Sequence, residues 1–222
     1  AGEIWHLASH PKEASVYLSA SRTPSSTQCH LVKMPSLPPT SVTTIPESKK
    51  VEVTVPLSPP ESSANANSFT NVVGVTFDKF DNNAFVIESD TIHCYPSDIS
   101  GDSGASGLKS TLTVPCGPKV YAGACDPFNN DLISVSAGAD LKTIDLRAGR
   151  VVYQKERAHL CAARCLDYNP HAEFQIVSGG EDGKLRIWDL RNAKGCLKLF
   201  SDSHSHWVVD VKFNPHHKEL LL

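Results

Sequence analysis

The chain has 222 residues and carries 21 Lys and Arg against 24 Asp and Glu, a formal charge of -3. A balance this close to neutral supplies neither the basic footprint of a nucleic-acid binder nor a polybasic patch for an anionic membrane. No stretch approaches the about 18 apolar residues of a membrane span, and the opening AGEIWHLASHPKEA lacks the basic region and apolar core of a leader, so a soluble chain without direct membrane insertion is expected.

Residues 1–34 open on a strand pattern near Ile4, turn at HPKEA around Pro11, and end in HLVKM without a tryptophan, which predicts a first partial blade. Residues 35–68, PSLPPTSVTTIPESKKVEVTVPLSPPESSANANS, are dominated by Pro, Ser and Thr, and two Pro-Pro steps forbid a continuous ladder. They predict a disordered insertion in which VEVTV could form one edge strand. Residues 69–97 repeat strand, turn, strand, turn and strand from Val72 without a tryptophan, a degenerate blade, and 98–107, DISGDSGASG, predict a flexible loop.

Residues 108–157 contain SVSAGADLKTIDLRAG and predict a third blade, starting near Val120, that lacks its tryptophan. Ile144 stands where the next unit has Trp188, and five positions separate Asp140 from Asp145 against seven from Asp182 to Asp189. This blade is expected to be the least regular of the well-marked ones, short by two residues of strand or turn. Residues 158–201 hold the cleanest unit, with CAARCLDY, a turn at NPHAE, QIVSGG, a tight turn at EDG, and KLRIWDL. Residues 202–222 begin another unit near Val208 and stop in KELLL, a strand without the partner that should follow. A missing beginning and a missing end are both expected.

The turn prolines carry the period. Pro127 to Pro170 is 43 residues and Pro170 to Pro215 is 45, within the about 40–45 of a WD repeat, whose blades are four-stranded antiparallel sheets. The predicted fold is therefore all-β, a partial WD-repeat β-propeller. The seven cysteines are odd in number and lie mostly in apolar strand patterns, as reduced thiols do, and Cys161 and Cys165 are both placed on a buried inner strand.

His159, Ser178, Asp182 and Trp188 occupy the positions of a structural hydrogen-bond network within the cleanest unit: before the inner strand, on the second strand, in the following turn, and at the end of the third strand. Such a network satisfies buried polar groups and holds the turn. Their order and spacing fit a blade scaffold better than a nucleophilic triad, which needs a strained elbow and an oxyanion nest. Gly179, Gly180 and Gly183 lead into a strand and lack a Gly-Lys-Ser/Thr ending, so they predict a tight turn rather than nucleotide binding. His204, His206, His216 and His217 cluster near Asp202 and Asp210, without the Cys-x-x-Cys or His-x₃₋₅-His spacing of structural zinc. His206 is read as the structural histidine of its own blade and Trp207 as a packing residue between blades. No catalytic residue, cofactor or metal is expected.

AGEIWHLAS at 1–9, AHLCAARCLDYNP at 158–170, SGGEDGKLRIWDLRN at 178–192 and, above all, HSHWVVDVKFN at 204–214 resemble the EARP and GARP complex-interacting protein family, also called the tumour-suppressing subtransferable candidate family. The resemblance covers about three quarters of the chain, excludes 35–68 and the loop near 98–107, and departs at Lys33 and Ile144. It implies part of a seven-bladed propeller and a non-catalytic cytoplasmic adaptor. Its implied partners are recycling and retrograde tethering complexes, met at endosomes or the trans-Golgi network.

A rival reading changes the partner. WDLR at 188–191 matches the W-D-x-R signature of cullin-type ubiquitin-ligase substrate receptors, and IDLR at 144–147 is a degenerate copy. Arg147 and Arg191 would then be the partner-binding residues, whereas the plain alternative is two solvated arginines after a third strand.

Overall fold

The computed structural model describes residues 3–24, 26–34, 53–59, 68–80, 83–97, 108–117, 119–192, 194–202 and 204–222. The loop expected at 98–107 lies outside them. All regular elements among the described residues are strands. In chain order these are β1 (Glu3–Ser9), β2 (Val16–Arg22), β3 (Thr27–Lys33), β4 (Val53–Ser58), β5 (Val72–Phe77), β6 (Asn83–Glu88), β7 (Thr91–Pro96), β8 (Leu108–Lys109) and β9 (Leu112–Pro115). There follow β10 (Val120–Cys125), β11 (Leu132–Ala137), β12 (Asp140–Asp145), β13 (Arg150–Lys155), β14 (Ala163–Tyr168), β15 (Gln175–Gly180), β16 (Leu185–Asp189) and β17 (Lys198–Phe200). They form four sheets, ordered β1-β2-β3-β4-β8, β5-β6-β7-β9, β10-β11-β12-β13 and β14-β15-β16-β17.

The first turn of each unit is closed by a side chain rather than by backbone alone. His10 Nδ1 accepts the amides of Lys12 and Glu13, Asp78 Oδ1 that of Phe80, Asp126 Oδ1 that of Phe128, Asn169 Oδ1 that of His171, and Asn214 Oδ1 those of His216 and His217. Four of these five residues precede a proline. Proline biases its predecessor toward extended backbone, and a short polar side chain then bonds the amide two residues on.

Contacts divide the chain into two compact units, Ala1–Val86 with His93–Thr113, and Ile87–Ile92 with Val114–Leu222. In the first, strand alternation turns Val16, Leu18 and Ala20 of β2, Cys29 and Leu31 of β3, and Val55 and Leu57 of β4 into one core with Phe69, Phe77 and Tyr95. β5 lies along β1 and β2, and the Tyr95 hydroxyl donates to Ser58 O at 2.9 Å.

In the second unit β10 and β11 lie beside β14, and Ala124, Leu141, Leu166, Tyr168, Ile176 and Trp188 pack together there. A buried polar contact is set into this packing: Ser134 Oγ is 2.7 Å from Thr143 Oγ1 and 2.6 Å from the Tyr168 hydroxyl. On the far face of the β14–β17 sheet, Cys165, Val177 and Leu185 bury against Val208, Val211 and Phe213.

Four expectations are corrected. Within 35–68, Val53–Ser58 is an antiparallel partner of β3, at the place where VEVTV allowed a strand, because its alternation drives Val55 and Leu57 into the core; Pro56 lies just before the two residues that pair with β8 on the other side. The remaining residues of that stretch apart from Pro59 and Ser68 lie outside those described. Residues 108–115 do not open the third blade: Leu108–Lys109 adds in parallel to β4, and Leu112–Pro115 is the last strand of the β5-β6-β7-β9 sheet.

The third sheet is a complete four-stranded meander. It is short by one residue rather than two, since Ile133 to Ile144 spans 11 positions against 12 from Ile176 to Trp188; the loss falls in the β11–β12 turn, where Gly138 at φ 64 takes the left-handed conformation that a two-residue hairpin needs. Finally, KELLL has a partner, since Leu222 and Lys212 exchange backbone bonds of 2.9 Å beside a Phe213–Leu221 bridge.

Candidate functional site

The tight turn after β15 brings together the four residues singled out in the cleanest unit. Trp188 Nε1 donates to Ser178 Oγ at 2.9 Å, and Ser178 Oγ lies 2.7 Å from His159 Nε2. His159 Nδ1 is 3.0 Å from Asp182 Oδ1. One proton assignment completes the chain: indole N–H to hydroxyl, hydroxyl O–H to Nε2, and Nδ1–H to carboxylate. Asp182 also accepts the Leu160 and Lys184 amides at 3.2 and 3.3 Å. The β14–β15 hairpin supplies Ser178, β16 supplies Trp188, and the backbone bonds from His159 N to Ala139 O and from Glu181 N to Ala162 O hold the His159 segment over the turn.

A fifth member was absent from the sequence reading. Arg186 donates to Asp182 Oδ2 at 2.8 Å, with its Nη1 also 2.7 Å from His159 Nδ1. Strand periodicity could have found it, because Arg186 is two residues from Trp188 and therefore on its face, directly across the ladder from Ser178. In the third sheet Ile144 pairs with Ile133 as Trp188 pairs with Ile176, which sets Val135 and Lys142 opposite each other where Ser178 and Arg186 stand. The network is not rebuilt there.

Burial lowers the His159 pKa and outweighs the opposing bond and charge of Asp182. Burial also pushes the Asp182 carboxyl up, yet the bonds from His159, Arg186 and the Leu160 amide overcome it and hold the acid well below the usual carboxylate range. The ordered serine, imidazole and carboxylate have the connectivity of an activated nucleophile. Ser178 is completely buried, however, and its Oγ already accepts the indole N–H. An acyl group could reach it only if the sheet opened.

The other named residues stand apart. His206 is exposed, with its ring 5.5 Å from that of Trp207. Arg147 is exposed just after β12. Arg191 turns back on its own sheet, with Nε and Nη2 donating to Asp189 at 2.9 and 2.7 Å and the guanidinium 5.2 Å from the Phe174 ring. His216 and His217 lie on the exposed turn capped by Asn214. Cys165 is buried on β14, where loss of hydration pushes its thiol up to about 12, whereas Cys161 precedes the strand and is exposed, contrary to its expected burial. Among the described residues, no three or more His, Cys, Asp or Glu side chains converge as metal ligands do, and no helix is long and apolar enough to cross a membrane.

A family model described as "EIPR1 beta-propeller" matches residues 1–222. The chain belongs to this family. As an EIPR1 β-propeller chain it is 26% identical over 239 residues to the EARP-interacting protein homolog of Gekko japonicus, and 26% identical over 237 residues to EARP and GARP complex-interacting protein 1 of Homo sapiens. Both matches cover 100% of this chain and 58% of the relative, so the chain spans about three fifths of the length of these curated relatives. EARP-interacting protein 1 of Caenorhabditis elegans is 30% identical over 105 residues, which are 47% of this chain and 29% of that protein. The family resemblance found in the sequence is thereby confirmed, and the four sheets are blades of a WD-repeat-type propeller.

Proposed function

We propose that this EIPR1 β-propeller chain is a non-catalytic scaffold that docks endosomal tethering complexes, in endocytic recycling and retrograde vesicle transport. The observation that carries the reading is the family match along the whole chain, to relatives whose names specify EARP and GARP interaction. The fourth blade supports it physically. His159, Ser178, Asp182 and Trp188, joined by Arg186, act as a buried brace, because Ser178 Oγ, both His159 ring nitrogens, Trp188 Nε1 and both Asp182 oxygens are engaged within the blade. A braced blade offers a rigid surface, and rigidity lowers the ordering cost of docking. The chain then works in the cytoplasm and reaches endosomes or the trans-Golgi network through its partners, without nucleic acid, cofactor or insertion into the bilayer.

The test is affinity capture of the tagged chain from cytosol with quantitative mass spectrometry. Enrichment of the subunits shared by the EARP and GARP complexes is the expected result. Recovery of a cullin adaptor without those subunits would replace this reading with the ubiquitin-ligase one, in which Arg147 and Arg191 contact the adaptor. The bidentate pairing of Arg191 with Asp189 weighs against that role.

A further inference from the structure

Three inner strands carry a register break at the same place. The ladder skips Trp5 between Ile4 and His6 in β1, Tyr121 between Val120 and Ala122 in β10, and Arg164 between Ala163 and Cys165 in β14. A bulge of this kind re-aims one side chain away from the sheet's regular alternation and is often found beside functional sites. Within the second unit the consequence is specific. Tyr121, Arg164 and Trp207 recur at intervals of 43 residues, one per blade. They form a stack, with the Arg164 guanidinium carbon 4.5 Å from the Tyr121 ring centre and 5.3 Å from that of Trp207.

Trp207 remains half exposed, and the Arg164 side chain is about one third exposed. Nε and Nη2 of Arg164 both donate to the same oxygen of Glu181, which leaves the Nη1 edge without a protein acceptor among the described residues. A guanidinium placed between two rings, with one edge open, suits a planar acceptor such as a carboxylate. Tyr, Trp and Arg are also the residue types that dominate binding energy at protein interfaces.

We propose that Tyr121, Arg164 and Trp207 form a docking site for an extended acidic peptide segment of a partner protein. One Asp or Glu carboxylate of the peptide accepts from Arg164 Nη1, and the adjoining apolar side chain lies on Trp207. The proposal rests on the scaffold reading above and assigns that scaffold a surface.

The 222-residue chain is tested against short synthetic peptides with a fixed central Leu-Asp or Leu-Glu step, and against the same peptides carrying Asn or Gln, by fluorescence polarisation. The best acidic peptides should bind at least about tenfold tighter than their amide counterparts, a difference of about 1.4 kcal/mol. Arg164→Gln should abolish that preference, Arg164→Lys and Trp207→Phe should weaken it severalfold, and Arg150→Gln on the exposed β13 should leave it intact. Equal binding of acid and amide peptides overturns the proposal. So does a preference that survives both Arg164→Gln and Trp207→Phe; if Arg164→Gln lowers the thermal midpoint, the Lys and Phe variants decide. Absence of acid preference alongside intact capture of the tether removes this site and leaves the scaffold reading standing, whereas acid preference without any tether capture does the reverse.

Discussion

Ser178 is the residue on which the fourth blade's brace depends, because it is bonded to both Trp188 and His159. Ser178→Ala removes both bonds and strands two buried nitrogens, at a cost of about 2–3 kcal/mol; a fall in the urea midpoint without a change of slope would show it. The brace also predicts how stability follows pH. The folded pKa of His159 lies below its unfolded value near 6.5, so the unfolded chain takes up the proton first, and the contribution present above about pH 6.5 is lost as pH falls through the folded value. His6 and His30, lowered by burial, act in the same direction. Asp182, depressed in the folded chain, contributes stability above its unfolded pKa of about 3.9 that is lost at still lower pH. Urea midpoints should therefore decline below about pH 6.5 and again below about pH 4; a midpoint that rises between pH 7 and pH 5.5 would contradict the assignment. Four of the five brace residues were legible in the sequence, since their types and spacing are tied to turns and strand ends. Arg186 was missed because its charge reads as that of a solvated side chain, although its two-residue offset from Trp188 puts it on the face of the brace.

At the scale of the strand, what could be read was what repeats locally. Inner strands and the turns after them show as apolar alternation followed by a polar residue and proline, and the structure places a capped turn at each such site. Outer strands were the failures. β4 follows a long Pro- and Ser-rich stretch in which only the alternation of VEVTV marked a possible edge strand, and β9 pairs with β7 rather than joining the sheet that follows it, so neither announces which strand it pairs with. The third blade shows the opposite error, in which a missing tryptophan and a short spacing suggested irregular strands although only a turn had shortened. Packing against β15 in the second unit sets a further expectation. A Cβ on Gly179 would lie 2.5 Å from Val208 Cγ1 and 2.8 Å from Cys165 Sγ, whereas one on Gly195 would meet nothing within 4 Å. Gly179→Ala should cost about 1–3 kcal/mol by overpacking, and Gly195→Ala should stay within about 0.5 kcal/mol of the parent, measured by thermal unfolding of the two variants side by side.

For the whole molecule, the identity of the fold was legible because period and turn chemistry are properties of the sequence, while the partner surface was not, because it arises where residues 43 apart are stacked by the sheets that carry them. The first blade holds a simpler lesson. Lys33 and Val53 are ladder partners, so the ends of the intervening residues 34–52 are fixed as neighbours by β3 and β4. Closing a connection costs entropy that grows only with the logarithm of its length, about 0.6 kcal/mol for each doubling. Cutting this connection from about twenty residues to about five should raise stability by about 1.2 kcal/mol, read as a higher urea midpoint. The same arithmetic run the other way makes the Lys33–Val53 step a port: a reporter domain spliced there would tax the blade by little more than its own tether, and the propeller could be tracked in a cell with its ladders intact.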